Sequence, residues 1–138
     1  MATVELEIPP RSAYVKIVRL ALSSLARSAG LDEEKAEDLK TAASEACTNA
    51  VVSNEEAGGD DPVTISWEER PDRVVVEVED RGRLYSDGPD PLDSGSVAVR
   101  MTLSVALLRS LVDDCELVPR DGGGTRARLV VARRRWGG

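Results

Sequence analysis

Hydrophobic and polar positions alternate first at the start of the chain, where Val4, Leu6 and Ile8 are interleaved with Glu5 and Glu7. That pattern predicts a half-buried strand, ended by Pro9-Pro10. The period then changes. Tyr14, Ile17, Val18, Ala21, Leu22 and Leu25 recur at three- and four-residue steps, which predicts a helix with one apolar face, and Gly30 is a suitable C-terminal stop. Asp32 can cap a second helix, with Glu33 and Glu34 in its positive first turn. This helix carries Ala36, Leu39, Ala43, Ala46 and Ala50 on one side and Asp38, Glu45 and Asn49 along another stripe. From Asn54 to Pro62 the composition predicts a loop; Val63, Ile65 and Trp67 then alternate as a strand, Arg70-Pro71-Asp72 turns the chain, and a further strand runs from Arg73 to Asp80.

The stretch from Arg81 to Gly95 has glycines, prolines and aspartates without a period, a long irregular segment of the kind that forms lids. Val97 to Val112 predicts a strongly apolar helix, Cys115 to Val118 a strand, Pro119 to Gly122 a turn and Arg126 to Ala132 the last strand. No repeat or linker interrupts the series. Hairpin-paired strands covered on one face by three helices make a two-layer α/β sandwich with a mixed, mostly antiparallel sheet, formed by residues 1–138 as one domain.

Composition narrows the function. A chain of 138 residues is long enough to bury a core without staples. The formal net charge of −7, from 25 acidic and 18 basic side chains, repels a phosphate backbone and speaks against direct nucleic-acid binding. Arg133-Arg134-Arg135 is read as a solvated end, with Trp136 exposed beside it, whereas Trp67 shares the parity of a core strand. Histidine is absent and Cys47 and Cys115 are the only cysteines, which removes histidine catalysis, Cys/His zinc sites and a disulfide framework. Cys47 is read as a small buried hydrophobe rather than a redox sensor. The first residues lack a basic start and an apolar run, and no uncharged stretch is long enough to span a bilayer, so a cytoplasmic protein without a membrane partner is expected.

Three short pieces carry candidate chemistry. Glu45 and Asn49, four positions apart, share one helix face; the amide oxygen suits a hard Mg2+ ion and the carboxylate can take a proton from an attacking hydroxyl. The same spacing also occurs on ordinary solvated faces. Asp80 has the parity of Val74, Val76 and Val78, which places a carboxylate at the end of an apolar strand face, where a donor such as the amine of adenine would satisfy it and Gly82 would let backbone approach a planar base. A plain Asp-Arg-Gly turn explains those residues equally well. Gly122-Gly123-Gly124 offers positive φ and Thr125 a hydroxyl at a strand start, although a hairpin needs much the same residues.

Together, Ser44-Glu45-Ala46-Cys47-Thr48-Asn49-Ala50-Val51, Asp80-Arg81-Gly82, the helix ending Leu111-Val112-Asp113-Asp114 and Gly123-Gly124-Thr125 resemble the bacterial anti-sigma-factor serine kinases, which have the Bergerat fold of gyrase and histidine-kinase ATPases. The resemblance implies a protein that binds ATP and Mg2+, holds a sigma factor inactive, phosphorylates a serine or threonine of an anti-sigma-factor antagonist and works as a homodimer. Glu45 is then the general base, worth ~10²–10⁴ in rate. Asn49 is the metal ligand, Asp80 the partner of the adenine amine, Gly82 a neighbour of the base, Gly124 and Thr125 supports on the adenine side, and residues 81–101 the ATP lid. The sequence departs from the family's pattern twice. Leu84 stands where the D-x-G-x-G box has its second glycine. Counting back from Asp113-Asp114 puts Thr102-Leu103-Ser104 at the start of the third helix, where the family has G-x-G; Gly95 in Ser94-Gly95-Ser96 could supply one of those glycines only in a helix longer than the family's, so the helix-end register is preferred, and Ser104, Thr102 and Arg100 are then expected to replace part of the phosphate contacts. Those departures keep a second expectation open, a module of the same fold that sequesters its partner without turning over ATP.

Overall fold

The computed structural model describes residues 3–57, 59–81, 94–120 and 123–133, with the side chains of 55–57 and 94–102 outside that description. Strand β1 (Thr3–Ile8) leads through a short 3-10 turn (Ser12–Tyr14) into helix α1 (Val15–Ser28). Helix α2 (Glu33–Ala57) follows, then β2 (Val63–Glu69), β3 (Arg73–Asp80), α3 (Ser94–Leu111), β4 (Asp114–Pro119) and β5 (Thr125–Ala132). The sheet order is β1-β2-β3-β5-β4 and every neighbouring pair is antiparallel, so the sheet is not mixed.

The register explains the core. Val4, Trp67, Val76, Leu129 and Cys115 form one row across the five strands, and Leu6, Ile65, Val78, Ala127 and Leu117 form the next. Most of these side chains are buried, Trp67 to 1% exposure, although Val4 on the edge strand stays 40% exposed. Complete burial of such side chains stabilises the fold by roughly 1.5–3 kcal/mol each. Val18, Leu22 and Ala26 bring α1 onto this core, while Leu39, Ala42, Ala43, Ala46 and Ala50 do so for α2. The alanines let the α2 backbone come close to β3, which it contacts. On the opposite face Arg126 spans Glu79, at 2.9 Å, and Glu77, at 3.7 Å, as suits a solvated surface.

Two predicted boundaries move. Helix α2 continues to Ala57, three residues past Asn54. The Asn54 amide is buried and donates to the Ala50 carbonyl one turn back, so a residue with loop propensity is accommodated inside the helix. Helix α3 begins at Ser94 rather than Val97 and absorbs the end of the expected lid; the rest of that stretch, residues 82–93, lies outside the described residues. Thr102-Leu103-Ser104 are therefore inside α3 and not at its start. The loop preference of Ser94-Gly95, about 1 kcal/mol at most for the glycine, does not stop the helix.

Candidate functional site

Asp32 starts α2 as its side chain accepts the Lys35 N–H at 2.8 Å. More than three turns along, Glu45 and Asn49 stand one turn apart on the side that meets α3. There the Ser104 hydroxyl donates to Oε2 of Glu45 at 2.9 Å and accepts from Nδ2 of Asn49 at 2.5 Å. Asn49 is 8% exposed and Ser104 5%, while Glu45 is half-buried. A carboxylate, an amide and a hydroxyl thus form one compact oxygen-rich group with limited access to water. The stripe is not an ordinary solvated face. Next to it, Ser44 accepts from Arg19 at 3.0 Å and donates to the Lys40 carbonyl at 2.7 Å.

The second part of the site lies where β3 ends and β5 begins. Asp80 and Thr125 are paired across the strands and extend the helix-facing rows of the sheet; both are buried. Asp80 has interactions within the protein, so its burial by itself does not demand a ligand. Thr125 differs. Its Oγ1 is buried and has no hydrogen-bond partner among the described residues, a cost that a bound donor or acceptor can relieve.

Gly124 explains how these two ends come together. A Cβ built on it would lie 1.9 Å from the Asp80 carbonyl oxygen and 2.6 Å from Arg81 Cα, and its φ is +97°. Only glycine allows both the backbone conformation and the close approach. The sequence does not single out Arg120, which completes this end. Its Nη1 donates to the Asp80 carbonyl at 3.1 Å, its guanidinium pairs with Glu79 at 3.4 Å, and its backbone N–H donates to the Gly124 carbonyl. The turn composition around it was legible, but a contact across 40 residues has no local signature.

Of the residues expected at the site, Glu45, Asn49 and Ser104 are joined directly, and Asp80, Gly124 and Thr125 form the second group. Gly82 lies outside the described residues, as does the Arg100 side chain. Ser104 was expected at a helix start facing phosphate; it lies inside α3 and its hydroxyl faces Glu45 and Asn49. Cys47, between the two α2 residues, is fully buried, and desolvation pushes its thiol up to about 12, which fits a packing role.

Each group has chemistry suited to one part of a nucleotide with its metal. The Thr125 hydroxyl, without a partner among the described residues and beside Asp80, suits the polar edge of a purine, and the hard amide oxygen of Asn49 suits magnesium, which keeps several waters and needs few protein ligands. Among the described residues no group of three or more Asp, Glu, Cys or His side chains could hold a metal.

Fold and site together define an ATPase domain of the histidine-kinase type. The sequence profile of the family described as "Histidine kinase-like ATPase domain" matches residues 8–131, and the chain belongs to that family. Within it the resemblance is to serine-protein kinases called RsbW. The chain is 33% identical to that of Bacillus pumilus (strain SAFR-032) over 129 residues, covering 86% of this chain and 80% of the relative. It is 32% identical to that of Bacillus subtilis (strain 168), covering 86% and 79%. Among solved structures, that of the RsbU and RsbW domains of Rv1364c from Mycobacterium tuberculosis shares the fold, with a TM-score of 0.71 at 18% identity, covering 97% of this chain and 34% of that one.

Proposed function

We propose that this protein is an anti-sigma factor and an ATP-dependent serine/threonine kinase that sequesters a sigma factor and phosphorylates an anti-sigma-factor antagonist. The observation that carries this reading is the joining of Glu45 and Asn49 in one buried oxygen-rich group. The names of the relatives favour the kinase over a module that only sequesters. In this reading Asp80 accepts from the adenine amine, and the Thr125 hydroxyl takes up a hydrogen bond on the same side. Asn49 presents its amide oxygen to Mg2+. Glu45, half-buried beside it, accepts the proton of the acceptor hydroxyl. When bound, MgATP supplies the phosphoryl group and the cation charge that neutralises it. Residues 1–138 act as one domain, in the cytoplasm and as a homodimer.

The test is labelling of a second protein in cell extract by purified chain and γ-labelled ATP. The wild type is expected to transfer label. Glu45→Ala is expected to lose transfer by a factor of about 10² or more while still binding nucleotide. Full transfer by that variant would remove Glu45 from the role of base.

A further inference from the structure

The hydroxyl of Ser104 stands at the point where Glu45 and Asn49 have to act. Its proton is given to Glu45 Oε2, so the carboxylate already accepts the kind of hydrogen bond that an acceptor hydroxyl would offer. Its oxygen holds Nδ2 of Asn49, which fixes the orientation of the amide. A magnesium ion coordinated at ~2.0–2.1 Å with near-octahedral geometry and several waters requires room beside Asn49. While the Ser104 hydroxyl is bonded to both residues, neither side chain is free to turn toward an ion. Ser104 is nevertheless not a permanent tie. A serine inside a helix has a second stable arrangement, in which its hydroxyl turns to the backbone carbonyl four residues earlier.

We propose that Ser104 is a latch: it holds Glu45 and Asn49 to each other and must release them before metal-bound nucleotide engages, so it sets the metal dependence of nucleotide binding. The proposal rests on the nucleotide reading of the site. Ser104 is a positioning residue, acting through the two α2 side chains. Asp80 and Thr125, on the strands, lie outside its hydrogen bonds, so binding of the base is independent of the latch.

The experiment is calorimetric titration of the full chain with a non-hydrolysable ATP analogue, in Mg2+ and in EDTA, for the wild type, Ser104→Ala, Ser104→Thr and Asp80→Asn. Alanine is favoured in a helix interior, and a thermal melt verifies that each variant is folded. Loss of hydrogen bonds of this type is expected to tighten binding of Ser104→Ala in Mg2+ by about tenfold, with affinity in EDTA unchanged. Ser104→Thr, which keeps a hydroxyl at the same point, is expected to return the Mg2+-to-EDTA ratio to the wild-type value. An unchanged or lower ratio in Ser104→Ala, with nucleotide still bound and Asp80→Asn weakened in both buffers, overturns the latch alone. Absence of binding by the wild type and Ser104→Ala in both buffers overturns the nucleotide reading, and the latch with it.

Discussion

Thr125 separates what stabilises this fold from what equips it. Its buried hydroxyl, without a partner among the described residues, costs folding free energy, whereas the methyl group of the side chain packs as valine would. Thr125→Val is expected to leave the urea midpoint unchanged or higher and to weaken nucleotide binding by about tenfold, as one lost hydrogen bond would. A lowered midpoint with unchanged affinity would make the hydroxyl structural. Cys47 behaves in the opposite way. Its thiol is pushed up to about 12 from 9.0, so the folded protein keeps a proton that the unfolded chain releases. The resulting stability is fully present below 9.0 and is lost as pH rises from there toward about 12. Urea midpoints are therefore expected to fall above pH 9.0, less so in Cys47→Ala, and native Cys47 should react with thiol reagents only after unfolding. At this scale Glu45, Asn49 and Asp80 could be singled out in the sequence, because a one-turn spacing and a strand parity are local patterns, whereas the roles proposed for them come from the family resemblance. Arg120 was not, because its partners come from β3 and from the β5 turn.

At the scale of elements, α2 is both a wall of the core and the carrier of the site. Its alanines bring the backbone against β3, and its contact with α3 brings Glu45 and Asn49 to Ser104. Ala46 is 5% exposed, and Ala46→Leu is expected to cost about 1–3 kcal/mol by overpacking, read from the shift of the urea midpoint. Leu20→Ala is the matching control. Leu20 is 72% exposed on α1, and its loss should stay within about 0.5 kcal/mol. Strand periods were legible because each strand has one apolar and one polar face. The end of α2 and the start of α3 were not. Asn54 and Ser94-Gly95 have loop propensities of a few tenths of a kcal/mol up to about 1 kcal/mol, less than helix packing supplies.

For the whole molecule, the proposed nucleotide site draws on two groups of residues distant in sequence, one where α2 meets α3 and one where β3 ends beside β5. Nucleotide binding must then appear as global stability. At a ligand concentration 100 times Kd, the wild type should gain about 2.7 kcal/mol, seen as a raised melting temperature, and Asp80→Asn should lose that gain. An equal rise in the variant would place the base elsewhere. Among the described residues no helix is long and apolar enough to cross a membrane. The sequence by itself determined the sandwich, the order of its elements and the residue types at the site, because periodicity, turn chemistry and one-turn spacing are local properties. Only the tertiary structure decided that Ser104 joins Glu45 and Asn49, that Arg120 braces the Asp80 end, and that Gly124 lies against the backbone of Asp80. Those contacts link positions 40 to 59 residues apart, and the packing of α3 on α2 and of β5 on β3 creates them, with nothing in the local pattern to announce them.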